Sequence, residues 1–276
     1  MATDAEQSSC DSPAAMSAEG HSMLVHRSPR VARERTGAWV GAALDRGFRV
    51  LCKYTGLAWP VAELIGSAGR DPGSVTPVDA ADVFADTGGR PAALRAWHEE
   101  HLGRARAEGY AGLALACDGS ALRVIAPEPA ARMAHERDLT ELAAAAAVAV
   151  LCRYDLAVET DDDLDGLLRV HAPAVEDVVF AAYRHRDRLT LTGEIESSNA
   201  ARFAAVLSAA IQAGVRTVDV AGLRLLSAAG LRALDAATAP LGRSAEQVRF
   251  LDAGPLVQRV LHVSGLLASG VIVLDN

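Results

Sequence analysis

The stretch from Arg188 to Leu234 constrains this chain most, because strand and helix periodicities follow one another within it. Leu189 and Leu191 alternate with Arg188, Thr190 and Thr192, the period-two pattern of a half-buried strand. Phe203, Val206, Leu207, Ala210 and Ile211 then recur at helical spacing along one apolar stripe. Ser197, Ser198 or Asn199 suits the start of that helix and Gly214 its end. Val215, Val218 and Val220 predict a short buried strand, Ala221–Leu226 a tight loop, and Ser227 the opening of another helix. Val248–Leu251, a helix beginning at Pro255, and Val271–Leu274 continue the alternation to the C-terminus.

Upstream the same alternation recurs. Helices are expected over Arg30–Leu44, Leu57–Gly66, Pro91–Glu108 and Ala130–Ala143. Strands are expected at Gly47–Tyr54 and Gly112–Cys117, a short strand and turn within Val78–Phe84, and a nearly continuous apolar strand at Ala145–Tyr154. Gly69–Pro77 reads as a loop and residues 1–20 as a disordered leader. Helices alternating with short apolar strands define an α/β protein whose N-terminal sheet is doubly wound and mostly parallel.

The length of 276 residues suits two ordinary domains, and the 50% hydrophobic content excludes disorder as the overall class. A net charge of -8 with no basic cluster argues against nucleic acid as a partner. Cys10, Cys52, Cys117 and Cys152 form no C-x-x-C pair. The leader lacks the basic-then-apolar order of a signal peptide, and the longest apolar run, Leu142–Cys152, is short of the roughly 20 residues a membrane span needs. The expectation is a soluble cytoplasmic protein. No phosphate-loop lysine motif, G-x-G-x-x-G or nucleophile elbow occurs, so neither an enzyme nor a cofactor is expected. His98 and His101 are three residues apart, not four, and are expected on an exposed polar face, leaving no metal ligands nominated. Asp161–Asp165 reads as a solvated helix start, not a calcium loop.

Two families resemble parts of the chain. LTLTGEIE, TVDVAGL and LLSAAGLRAL resemble the STAS domain of anti-sigma-factor antagonists over residues 175–276, which implies a mixed sheet with helices. Leu151-Cys152-Arg153-Tyr154-Asp155, an acidic helix and Val170-His171-Ala172-Pro173 resemble the MEDS sensory domain over residues 21–173, with looser agreement at His26, Gly47–Tyr54, Gly109–Cys117 and Glu136. The family's usual His-Pro is here interrupted by Ala172. Cys152, Tyr154 and Asp155 end a buried strand, where ligands of α/β sheets bind, so they are ligand-binding candidates, Cys152 reading first as a buried hydrophobe and Tyr154 and Asp155 equally as loop anchors. The MEDS resemblance adds His26, Glu136 and His171.

The STAS resemblance implies a partner surface at Arg224, Leu225, Ser227, Ala228, Ala229, Gly230 and Arg232, facing an anti-sigma factor of the histidine-kinase-type serine kinase class. Aligned on Gly230, the family's acidic position is Ser227, and its two serine positions are Ala228 and Ala229. The usual phospho-switch is therefore expected to be absent: Ser227 reads first as a helix N-cap and only secondarily as a phosphorylation site. The reading is a non-enzymatic regulator in which the MEDS-like half senses and the STAS-like half binds. A scaffold in a larger sensory assembly, or a small-molecule-binding protein acting through the N-terminal half, stays open, as does a homo-oligomer.

Overall fold

The computed structural model describes residues 20–55, 75–176 and 179–275. The expected helix at Leu57–Gly66, and the leader apart from Gly20, lie outside the described residues. In chain order the elements are β1 (His21–His26), α1 (Pro29–Asp45), β2 (Phe48–Tyr54), β3 (Val75–Asp79), α2 (Ala80–Thr87), α3 (Pro91–Ala107) and β4 (Gly112–Asp118). There follow α4 (Leu122–Ile125), α5 (Pro129–Ala145), β5 (Val148–Asp155), α6 (Asp161–Leu168), β6 (Ala172–Glu176), β7 (Phe180–His185) and β8 (Arg188–Ile195). Last come α7 (Ala200–Gln212), β9 (Thr217–Leu226), α8 (Ala228–Ser244), β10 (Val248–Leu251), α9 (Pro255–Val263), a 3₁₀ turn and β11 (Ile272–Asp275).

All strands join one 11-stranded sheet in the order β11-β10-β9-β8-β7-β6-β1-β5-β4-β2-β3. β7 alone runs antiparallel to its neighbours, β6 and β8, and every other pairing is parallel. The N-terminal part, β3 to β1, is thus a parallel sheet and the C-terminal part a mixed one, as expected for the α/β class. The two parts are continuous through β6, which pairs with β1 on one side and β7 on the other.

Period-two alternation divides the N-terminal core. Leu24, Ala149 and Leu151 pack with Trp39, Val40 and Ala43 of α1 on one face. Met23, Val25, Val150 and Cys152 point to the other face, with Leu102 of α3 and Leu139 and Leu142 of α5. That second core is contiguous with Phe203, Val206 and Leu207 of α7, so burial, like hydrogen bonding, crosses the junction.

Several boundaries correct the sequence reading. Ala221–Leu226 is no loop: β9 continues through it, with register shifts against β8 that break the simple alternation. Val75–Asp79 is a strand, so the expected loop ends earlier, and Ala80–Thr87 is a helix capped by Asp79, not a turn. β5 starts at Val148 because Ala143–Ala145 still belong to α5. β1 and β7 had not been expected. At the start of α7, Asn199 makes no side-chain cap. It accepts from the Glu196 amide at 2.8 Å and donates to the Glu194 carbonyl at 2.9 Å, fastening the strand end instead.

Candidate functional site

The candidate ligand-binding side chains divide into two groups. Glu136, Cys152, Tyr154 and His171 converge, and His21, which the sequence reading had not singled out, joins them. His21 opens β1, while Cys152 and Tyr154 share one face of β5. Glu136 projects from α5 onto that face, and His171 follows α6 at the head of β6. His171 Nε2 lies 3.0 Å, and His21 Nε2 3.3 Å, from Glu136 Oε2. His21 Nε2 is also 3.3 Å from Cys152 Sγ. The four groups are buried, with one potential donor atom from each within 4.8 Å of the others.

Neither carboxylate oxygen of Glu136, nor His171 Nε2, has a partner in hydrogen-bonding geometry among the described residues, nor does the buried Tyr154 hydroxyl. Burial by itself would raise the Glu136 carboxyl, and only His171 and His21 carrying protons toward it would outweigh burial and hold it well below the usual carboxylate range. Burial, aided by His171, lowers His21 to about 4. Burial, then Cys117, pushes the Cys152 thiol well above its ordinary value.

Above this cluster lies a cavity of about 300 Å³ at the carboxyl ends of β4 and β5, where ligands of α/β sheets commonly bind. Glu136 and Tyr154 line it, together with Gly119, Met133, Asp163 and Leu167. Gly119 is required here because a Cβ would sit 2.4 Å from the Tyr154 ring. The side of the cavity is held by ion pairs that the sequence did not reveal. Arg123 contacts Glu159 at 3.2 Å and Asp163 at 2.6 Å, and Arg132 contacts Asp163 at 2.8 Å. The acidic run is thus a helix start, as expected, with Asp163 and Thr160 forming a reciprocal capping box.

His26 and Asp155 stand elsewhere, as register partners at the ends of β1 and β5. Asp155 is engaged in its own turn, accepting from the Ala157 amide at 2.9 Å, while its amide donates to Ser120 Oγ.

The expectation of an exposed face at His98 and His101 is wrong. His98 is 2% exposed, and its Nε2 faces Lys53 Nζ at 3.3 Å. His101 is half-buried and stacks on Trp97 at 3.8 Å between centroids. The stripe Leu94, His98, Leu102 turns His98 inward. Burial, then Lys53, His135 and His101, lowers His98 well below its ordinary value. The unfolded chain therefore gains a proton near pH 6.5 that the folded chain refuses, and stability falls as pH drops below that point. The expected slope is at most about 1.4 kcal/mol per pH unit for this group. Urea midpoints compared between pH 7.5 and 5.5 check it, and His98→Gln should flatten the difference.

On the C-terminal half, Ser227 caps α8 by accepting from the Gly230 amide at 3.2 Å. Ser227→Ala is expected to cost about 1 kcal/mol in urea unfolding. Gly230 is buried and Ala228 exposed; Leu225 and Ala229 are partly exposed. Arg224 and Arg232 are exposed, Arg224 lying 3.4 Å from Glu194. Leu256 and Val263, which expose large apolar side chains on α9, were not predicted as surface features.

A buried polar cluster lies under a cavity in the N-terminal part, which one continuous sheet joins to a second helix-bearing part. The family model described as "MEDS: MEthanogen/methylotroph, DcmR Sensory domain" matches residues 20–172, and the chain belongs to that family. The model described as "Mlab, STAS domain" matches residues 178–273, so a sensory domain precedes a STAS domain, the order the sequence motifs indicated. No curated protein matches the chain. Among the described residues, no helix is long and apolar enough to cross a membrane.

Proposed function

We propose that the chain is a cytoplasmic, non-enzymatic signalling regulator, divided near residues 173–175 into a sensory and a STAS unit. Its sensory unit takes a small ligand, and its STAS unit holds an anti-sigma factor of the kinase type, freeing the sigma factor for transcription. The observation that carries the reading is the position of α6. One side of this helix, with Asp163, Gly166 and Leu167, lines the cavity over Glu136 and Tyr154. Another side, with Leu164 and Leu168, lines a second cavity of about 180 Å³ against Ala201, Arg202 and Ala205 of α7. A ligand filling the first cavity bears on α6, and α6 bears on the STAS unit. His171 strengthens the link, since its Nδ1–H donates to the Leu167 carbonyl at 2.8 Å.

Ala228 and Ala229 offer no hydroxyl at the family's serine positions, and the Ser227 hydroxyl is occupied as a cap. Partner binding is accordingly insensitive to the partner's kinase activity and is set from the sensory side. Arg224 and Arg232 supply positive charge for an acidic partner surface. The test is capture from host extract on the immobilised full chain, with retained proteins identified by mass spectrometry. A kinase-fold anti-sigma factor should be retained, and the double variant Arg224→Glu/Arg232→Glu should weaken retention at least about tenfold. Absence of any such factor, or equal retention by the variant, would overturn the proposal.

A further inference from the structure

We infer that His21, Glu136, Cys152 and His171 form a binding site for one divalent transition-metal ion of the zinc type. The argument begins with the outward nitrogens of the two imidazoles. His171 Nδ1 lies 2.8 Å from the Leu167 carbonyl, which can only accept, so Nδ1 carries the hydrogen. His21 Nδ1 lies 2.8 Å from Thr140 Oγ1, whose own hydrogen is directed to the carbonyl of Glu136 or Val170 at 3.0 Å. His21 Nδ1 must therefore donate as well. In both neutral rings Nε2 is then a bare lone pair, aimed inward at a carboxylate oxygen that is also a lone-pair donor. Fixing the outer nitrogen so that the inner one faces a metal is the usual second-sphere arrangement of ligating histidines.

The Cys152 S–H can serve His21 Nε2, but with both rings neutral and Glu136 ionised no hydrogen lies between His171 Nε2 and Glu136 Oε2, and a cation among the four groups would satisfy those facing lone pairs. Tetrahedral bonds of zinc-like length place neighbouring N, O and S donors roughly 3.3–3.5 Å apart, and two of the separations match this, while the four donor atoms together lie within 4.8 Å of one another, so a bound ion draws the set slightly inward. His21 Nε2 lies 3.3 Å from both Glu136 Oε2 and Cys152 Sγ, and His171 Nε2 lies 3.0 Å from Glu136 Oε2. The 3.0 Å contact lacks hydrogen-bond geometry, as expected of two ligands converging on one point and not on each other.

Charge balance selects the valence. Two neutral imidazoles, one carboxylate and one thiolate carry two negative charges, which a divalent ion cancels. The alternative occupants are two protons, one between His171 and Glu136 and one on the thiol, so metal uptake exchanges two protons for one ion without leaving net charge buried. Mixed imidazole, thiolate and carboxylate donors favour zinc or cobalt over magnesium or calcium. The adjoining cavity, lined by Glu136 and Tyr154, gives the ion access.

The test uses the full chain. After growth with added zinc, mass-spectrometric metal analysis should find about one zinc per chain. The chelator-stripped protein should bind Co²⁺ with a thiolate-to-cobalt charge-transfer band and release about two protons at neutral pH. Cys152→Ser should abolish the charge-transfer band, and His171→Gln should weaken binding by more than about a hundredfold, since even outer-sphere losses reach that size. Circular dichroism confirms that each variant is folded. Cys52→Ser, in the core on the opposite face of the sheet, should leave binding unchanged. Fewer than about one metal per ten chains and no spectral change at millimolar Co²⁺ would overturn the assignment, as would equal loss in the Cys52 variant. Metal content reads this site directly, whereas the signalling proposal is read by partner capture, so either can fail alone.

Discussion

Gly193→Ala is expected to destabilise the whole chain by roughly 3 kcal/mol or more, and to do so in a single transition. Gly193 has φ +89, and a Cβ there would lie 2.2 Å from the Val179 carbonyl oxygen and 2.9 Å from the Phe180 Cα. Both are backbone atoms, so no rotamer change relieves the clash. The same carbonyl accepts the Glu194 amide at 2.7 Å, at the point where β8 shifts register against β9. Alanine must therefore disturb the pairing of β7 with β8, next to the junction of the two halves. All three tryptophans lie in the N-terminal half, so their fluorescence follows that half alone. In urea, the fluorescence midpoint should fall together with the circular dichroism midpoint. A fluorescence midpoint that stays put while circular dichroism shifts would show that the sheet, though continuous in hydrogen bonding, unfolds as two separate units.

The degree to which this fold was legible follows from how much each element depends on distant partners. β8 and the stripe of α7 were readable because alternation and helical spacing are local consequences of facing one core. β1 was missed because all six of its residues are buried, so no polar alternation marks it. The end of β9 reads as a loop because Ala221 and Gly222 resemble a turn and the bulge interrupts the period. His98 was recoverable: Leu94 and Leu102 flank it at four-residue spacing, and that stripe, not the His98–His101 spacing, decides which way it faces.

For the site, Cys152 and Tyr154 follow from the carboxyl end of a buried strand and Glu136 and His171 from family resemblance, and the structure brings the four together. His21 had no local signal, because its role arises only where the first residue of β1 meets α5 and the segment after α6. The same reason hid Arg123 and Arg132, whose acidic partners lie more than thirty positions away. Asp155, by contrast, belongs to a turn whose chemistry is local.

Asp163→Ala is expected to lower stability by about 2–3 kcal/mol, combining the loss of a capping box with the loss of charge-assisted bonds to two arginines. Thr160 Oγ1 and Arg123 Nη1 each donate to Asp163 Oδ2 at 2.6 Å, and Arg132 Nη2 donates to Oδ1 at 2.8 Å. Glu159 remains within 3.2 Å of Arg123 and 3.8 Å of Arg132, so neither arginine loses every acidic neighbour, which keeps the cost below that of an isolated buried charge. Burial is the largest single influence on Asp163 and opposes its ionisation, but Thr160, Arg123 and Arg132 together prevail and lower it to about 2. Its contribution is therefore complete above its ordinary value of 3.8 and is lost only as pH falls through about 2. The bonds from Thr160, Arg123 and Arg132 to Asp163 therefore persist at neutral pH. Hydrogen exchange should quicken at amides 161–168 in the variant while β4 and β5 keep their protection. If exchange also quickens in α7, loosening one side of α6 is felt in the STAS unit, as the signalling proposal requires. If α7 is unchanged, α6 moves without telling its neighbour, and control from the sensory side would have to run through β6 instead.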